Sequence, residues 1–275
     1  MAINSVNTNS AAIAALQSLN KTNAELQATQ ERISSGFRIN NAQDDSAGFS
    51  IAQGLRGDVK GYESISEQIS KAKGTETVAG NAAKTISDTL GDIRSVVTKL
   101  ADANVTGDQR NQYIADYNAL KADITRAINN ASFNGTNLLN TTTGVNVISN
   151  LTGGTITLTA YNLTTDIIGN LTTITTAASA QALLVATTGG LSVAETNIGT
   201  TMGQLGDDAK TLDTHSTYIS NLIDATNDGI GAIVDADLAK ESAKLQSLQI
   251  RQQLGTQTLS IANNSPQILL SLFKS

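Results

Sequence analysis

The chain has 275 residues with no Cys, no Trp, one Pro, one His, four Phe and five Tyr, and its 24 acidic side chains outnumber 18 basic ones for a net charge of −6. These numbers exclude a disulfide framework, a zinc ribbon, a thiol nucleophile and any multi-His metal site, and the acidic balance argues against a nucleic-acid-binding face. What remains is one or two domains whose core must be built from Ala, Val, Ile and Leu.

Met1 to Asn20 carries no basic residue and no long apolar run, so it lacks the marks of a secretory signal peptide. No stretch approaches the ~18 consecutive apolar residues that cross a bilayer. On these grounds alone the chain reads as cytoplasmic and not membrane-bound. Ala12, Leu19, Leu26 and Ile33 recur every seven residues up to a break at Ser34-Ser35-Gly36. That spacing predicts a terminal helix with an apolar seam.

Two columns then run through the next section, Leu55-Tyr62-Ile69-Glu76-Ala83-Leu90-Val97 and Ile51-Asp58-Ile65-Ala72-Ala79-Ile86-Ile93-Leu100. A sustained 3-4 alternation predicts a long helix packed as a coiled coil or bundle. Gly57, Gly61, Gly74, Gly80 and Gly91 lie inside it, each costing roughly 1 kcal/mol against Ala, so packing must hold this helix. After a loop at residues 104–108, Tyr113, Tyr117, Leu120, Ile124 and Ile128 mark one face of a second helix.

Residues 141–201 carry only Asp166 and Glu195 among many Thr. Within this insert Thr155 to Tyr161 alternates with period two behind the Gly153-Gly154 turn, and Val145 to Ile148 supplies a partner strand. Ala177 to Ala186 reads as a short helix, closed by Gly189-Gly190. The heptad resumes at Met202, with Leu205-Leu212-Ile219-Thr226-Ile233 and Ala209-Ser216-Ile223-Ile230 as its columns. Two steps of four, at Val234 and Leu238, read as a stutter and place a boundary near residue 233. Leu238, Leu245, Gln252 and Leu259 form the last column.

The order is therefore nearly palindromic. The expected fold is mainly α: a long antiparallel helical bundle or coiled coil formed by the N- and C-terminal sections, with a small β-hairpin insert. Residues 1–43 and 233–275 form a terminal helical assembly domain, and 44–232 a helical bundle domain that contains the insert. The ends would span ~50–60 Å as helices. In the C-terminal one Leu238, Leu245, Leu248, Ile250, Leu254, Leu259 and Ile261 occupy more than one face, so the ends call for partners beyond each other.

No phosphate-binding, zincin, nucleophile-elbow or calcium-loop motif is present in the sequence, and no enzyme activity, metal or cofactor is expected. Asp44-Asp45 and Asp207-Asp208 read as helix N-terminal or surface acids, and His215 as a polar face residue. The Asn-x-Thr triplets at Asn150, Asn162 and Asn170 follow from an Asn/Thr-rich composition. The apolar tip from Pro266 to Phe273 suits burial against protein rather than lipid.

Arg32-Ile33-Ser34-Ser35-Gly36-Phe37-Arg38-Ile39-Asn40, continuing through Ala42 and Asp44-Asp45-Ser46-Ala47-Gly48-Phe49, closely resembles the N-terminal signature of bacterial flagellins. Asn4 to Asn9, the Phe133-Asn134-Gly135 turn, and the run from Gln252 through Asn263 to Pro266-Gln267 match other parts of that family. Its signature positions here are Arg32, Gly36, Asn40, Asp44, Asp45, Gly48, Phe133, Asn134 and Gly135. The resemblance spans about 140 N-terminal and 75 C-terminal residues and implies a secreted, extracellular subunit. Such subunits leave the cell unfolded and uncleaved by type III export and polymerise into the flagellar filament that drives motility.

It further implies termini that fold into paired helices on assembly, on the lumen side of the filament. The apolar strips for that role are Leu16, Leu19, Leu26 and Ile33 at one end and Leu238, Leu245, Leu248, Leu254 and Leu259 at the other. Implied partners are further copies of the chain, sibling flagellins, junction and cap proteins, and an export chaperone, for which Leu269, Leu270, Leu272 and Phe273 are the candidate segment. The insert leaves room for only a hairpin-sized element, so extra outer domains are not expected. Where the family carries an Arg and a Leu recognised by the animal receptor TLR5, this chain has Asp92 and Val96, with Asp123 in place of a Glu. A reversed charge removes the support for TLR5 activation. The rival functions are a hook–filament junction protein, which the match from Gln252 to Gln267 disfavours, and a surface polysaccharide-binding protein.

Overall fold

The structure, a computed structural model, describes residues 8–272, with side chains to residue 264. In chain order the elements are α1 (Ser10–Ser35), α2 (Ser46–Leu100), α3 (Gly107–Asn130), β1 (Ser132–Phe133), β2 (Thr136–Asn137), β3 (Val145–Ile148), β4 (Thr155–Leu158), a π-helical turn (Thr164–Ile168), α4 (Ala177–Leu183), α5 (Gly190–Val234) and α6 (Leu238–Leu272). The chain divides into two compact units, one of residues up to 57 together with 225 onward, the other of residues 58–224. Both divisions fall inside long helices, α2 and α5, whereas the sequence pattern put its boundaries at the loops near 43 and 233.

In the terminal unit α1 and α6 run antiparallel. Asn9 Nδ2 donates to the Ala262 carbonyl at 2.7 Å, Gln252 Nε2 donates to Asn23 Oδ1 at 2.8 Å, and Arg32 faces Glu241 at 3.7 Å. Asn9 also caps α1, its Oδ1 accepting from the Ala12 amide at 3.0 Å. The buried and half-buried positions of α6 are Glu241, Leu245, Leu248, Gln252, Gly255, Leu259 and Ala262, a 4-3 alternation that presents one seam to α1.

In the unit of residues 58–224, α2 buries Ile65, Ile69, Ala72, Glu76, Ala79, Ala83, Ile86, Leu90, Ile93, Val97 and Leu100, following the expected columns. The first two members of one column do not follow: Ile51 is 57% exposed and Asp58 is exposed, while Ala52 and Val59 are buried. The Leu55-Tyr62-Ile69 column is kept and its neighbour changes sides, so the early turns bury a different face from the later ones. At the end of α2 the Arg110 guanidinium donates to the carbonyls of Val105, Leu100 and Asp102 at 2.8, 3.1 and 3.0 Å. It thereby satisfies acceptors that the helix terminus leaves open.

α3 buries Tyr117, Ile124 and Ile128. The Tyr117 hydroxyl donates to the Thr172 carbonyl at 2.8 Å, and burial pushes its pKa up to about 12. The Phe133-Asn134-Gly135 segment is the tip of the β1–β2 hairpin, with φ of 49° at Asn134 and 79° at Gly135. Two successive left-handed residues match the right-handed twist of the strands they join.

β3 and β4 pair antiparallel from Val145↔Leu158 to Ile148↔Thr155, as the alternation predicts. Their loop is turned by Asn150, whose Oδ1 accepts from the amides of Thr152 at 3.0 Å and Gly154 at 2.7 Å. Val147 and Leu158 are buried and Thr155 and Thr157 exposed, giving the hairpin one dry and one wet face. The short helix predicted at 177–186 is α4, ended earlier at Leu183 and started by a Thr176–Ser179 capping box.

α5 starts at Gly190, ahead of the expected Met202. Lys73 meets Asp213 at 2.8 Å and Arg94 clamps Glu195 with two hydrogen bonds, so α5 lies antiparallel to α2 within this unit. Its buried columns are Leu191-Ile198-Leu205-Leu212-Ile219 and Ala194-Thr201-Asp208. The second lies beside the expected Ala209-Ser216-Ile223-Ile230 column, of which Ile230 is buried and the others half-buried, and two polar positions along it are seated by groups of the insert. Thr159 N–H donates to Asp208 Oδ2 at 2.8 Å, and His215 Nε2 lies 2.7 Å from the Ser149 carbonyl. The stutter read between Ile230 and Leu238 is a break, with α5 ending at Val234 and Asp237 Oδ1 accepting from the Ala239 and Lys240 amides to start α6.

Candidate assembly surface

The signature segment folds as a clasp in the terminal unit. α1 stops at Gly36, whose φ of 77° is left-handed and whose N–H donates to the Arg32 carbonyl at 2.9 Å. Glycine takes this conformation without the strain of a side chain. Beyond it the chain pairs with the segment between α5 and α6: Ala236 N–H donates to the Gly36 carbonyl at 2.9 Å, Phe37 bridges to Asp235, and Arg38 N–H donates to the Val234 carbonyl at 2.7 Å. The Arg38 guanidinium adds a hydrogen bond to the Ile233 carbonyl, and Arg56 stands 6.0 Å over the Phe37 ring.

The two acids have separate tasks. Asp44 Oδ2 accepts from the Asn40 and Asn41 amides at 3.0 and 3.2 Å, tightening the turn. Asp45 Oδ1 accepts from the Ala47 and Gly48 amides, both at 3.1 Å, and so caps α2. Gly48 is buried beneath them; a Cβ there would lie 2.7 Å from Ile39 Cδ1 and 2.8 Å from Asp45 Oδ2. The break after α1 and the break before α6 are thus laced together by backbone hydrogen bonds, which fixes where the two terminal helices begin to pair.

The candidate assembly residues divide between two locations. Leu19, Leu26, Ile33, Leu245, Leu248 and Leu259 lie in the α1–α6 seam, half-buried or, for Leu248, buried. Leu16, Leu238 and Leu254 face outward at 46, 50 and 60% exposure. The outward set is extended by Ile13 on α1 and by Ile250 and Ile261 on α6, all more than half exposed. Ile250, Leu254 and Ile261 follow helical spacing, so they form one exposed stripe on α6 outside the seam. Ile13 escaped the heptad pattern because it sits one residue past Ala12, outside the seam; its signal was a large aliphatic that no column explained. Beside the seam a groove of about 410 Å³ is lined by Leu19, Thr22, Glu25, Arg251, Leu254 and Gly255 among others.

Two polar positions in this pair are orphaned: Thr29 Oγ1 and Glu241 Oε2 are buried without a hydrogen-bond partner. The segment Leu269, Leu270, Leu272 and Phe273 lies outside the described side chains, as do Asn4 to Asn7 at the other end. Phe133 belongs to the unit of residues 58–224, where its ring covers Gly74 so closely that a Cβ there would come within 2.8 Å of it. Asp208, read from sequence as an N-terminal or surface acid, is buried in the middle of α5. Among the described residues no helix is long and apolar enough to cross a membrane, and no three His, Cys, Asp or Glu side chains group as metal ligands would.

Comparison with known proteins places this architecture. The bacterial flagellin N-terminal helical region matches residues 6–144, and the bacterial flagellin C-terminal helical region matches residues 189–273. Flagellin FljM of Caulobacter vibrioides is 40% identical over 277 aligned positions that cover all of both chains. A flagellin of Brucella melitensis is 34% identical over 287 positions, covering 98% of this chain and 99% of its own. The crystal structure of Bacillus cereus flagellin shares the fold with a TM-score of 0.50 at 22% identity, over 56% of this chain and 88% of that one.

Proposed function

The chain belongs to the bacterial flagellins, structural subunits of the flagellar filament, and from that premise we propose that α1 and α6 are its polymerising part. One observation carries this: the α1–α6 pair keeps a closed seam and still exposes Ile13, Leu16, Ile250, Leu254 and Ile261. Fully burying a side chain of this size is worth about 1.5–3 kcal/mol, so a narrow two-helix pair with such residues outside gains most when further copies cover them. The same logic makes the pair weak in the lone subunit, and the termini order as copies add. The work of the protein is mechanical and it performs no catalysis.

The subunit leaves the cell by type III export, uncleaved, and acts outside it. The segment from Leu269 to Phe273 is its export-chaperone contact, and junction, cap and sibling flagellin proteins are its other partners. Asp92 is exposed on α2, and its negative charge where receptor recognition needs a positive one makes the monomer a poor TLR5 activator; full activation of a receptor-reporter cell line at ordinary flagellin doses would overturn that. The test of assembly is a double substitution of the outward stripe, Ile250→Ser with Leu254→Ser. Purified protein of the unaltered chain should give long tubes by negative stain and the variant should give none while keeping the circular dichroism of the unit of residues 58–224. Normal tubes from the variant would refute this assignment.

A further inference from the structure

Glu76 lies in the middle of α2 and is 3% exposed. Both of its carboxyl oxygens are sealed from solvent and have no hydrogen-bond partner. The charged group facing it from α5 is Asp208, also buried. Tyr161, which follows β4, feels both acids. On its own helix the nearby cation, Lys73, is already engaged by Asp213 at 2.8 Å.

The two acids are not equivalent. Asp208 accepts from the Thr159 amide at 2.8 Å and from Gln204 Nε2 at 3.0 Å, so each of its carboxyl oxygens has a donor. Glu76 has none. A charge on Glu76, buried without a donor and beside a second acid, is strongly disfavoured, so the proton belongs on Glu76. No third ligand accompanies the pair among the described residues, which leaves a metal ion without a coordination set.

We propose that Glu76 is carried as the neutral acid beside Asp208, and that losing this proton loosens α2 from α5, making the seam a lock that opens with rising pH. Burial first, and the Asp208 charge second, push Glu76 up from 4.5 to about 7. The folded unit therefore holds this proton more tightly than the unfolded chain. The stability it contributes is full below about 4.5, declines as pH rises toward about 7, and stays lost above that.

The experiment follows the full-length monomer in two ways. In thermal unfolding across mildly acidic to mildly alkaline pH, the midpoint of the unaltered chain should fall as pH rises, and Glu76→Gln, which cannot ionise, should keep its midpoint where the other declines. Every other group is common to both proteins, so the difference between the two profiles isolates Glu76. Parallel profiles would overturn the proposal. Independently of how that variant folds, carboxyl carbon NMR of the unaltered chain should show one Glu titrating near neutrality, and its midpoint should drop in Asp208→Asn. A Glu76 midpoint in the ordinary carboxylate range, or one indifferent to Asp208→Asn, would equally overturn it.

Discussion

Gly255 lies directly against Leu19, so close that a Cβ on Gly255 would stand 3.1 Å from Leu19 Cδ1. A glycine in a helix interior costs about 1 kcal/mol against Ala, and here that cost is offset by letting α6 approach a leucine of α1. Gly255→Val should therefore wedge the pair apart, at about 1–3 kcal/mol. The yield of sedimentable filament should fall, while an exposed neighbour changed conservatively, Ser260→Ala, leaves it unaltered. Equal yields from both would mean that the seam does not set the approach of the helices.

Thr29 is fully buried in the same pair, and its hydroxyl has no partner. A buried polar group left unpaired costs about 1–3 kcal/mol. Thr29→Val keeps the branched shape and removes the hydroxyl, so it should raise the temperature at which filaments depolymerise. A lower temperature would indicate that Thr29 finds an acceptor on a neighbouring copy.

Gly36 ends α1 with φ of 77°. A residue with a Cβ pays roughly 1–2 kcal/mol to enter this conformation, and Asn far less than a β-branched residue. Nothing lies within 4 Å of the place a Cβ would take, so backbone strain rather than a clash decides the outcome. Gly36→Asn should keep assembly and swimming waveform near normal, and Gly36→Val should alter the waveform or block assembly. If Val behaves like Asn, the clasp tolerates a different chain path.

The long helices were legible because aliphatic side chains at heptad spacing leave few alternatives, and the hairpin because Thr and aliphatics alternate beside a Gly pair. Three features were not. The second column of α5 was hidden by polar residues, because Asp208 and His215 are seated by Thr159 and Ser149, 49 and 66 positions away in the chain, and no local pattern encodes such partners. The gap between α5 and α6 resembled a stutter because Val234 and Leu238 happen to keep a spacing of four across a break. The outward stripe was legible only as a surplus of large aliphatics: counting them says that a further surface exists, while heptad arithmetic says which residues are already used in the seam.

The glycines of α2 look alike in the sequence and differ in the structure, which yields a paired prediction of opposite sign. At Gly91 nothing lies within 4 Å of a would-be Cβ and the residue is exposed. Gly91→Ala should therefore only reduce the freedom of the unfolded chain and improve helix propensity, a gain of about 0.4–1 kcal/mol. At Gly74 the Phe133 ring stands where the Cβ would go, with ring atoms at 2.8 and 2.9 Å. Gly74→Ala gains the same propensity but must displace an aromatic side chain, and overpacking of this kind costs about 1–3 kcal/mol. Urea denaturation of the two variants should thus move the midpoint up for Gly91→Ala and down for Gly74→Ala, with slopes unchanged. Phe133→Leu, which vacates part of the ring's space, should bring Gly74→Ala back toward the behaviour of Gly91→Ala. A midpoint that rises for both glycines without that relief would show that the hairpin, and not α2, yields at this contact.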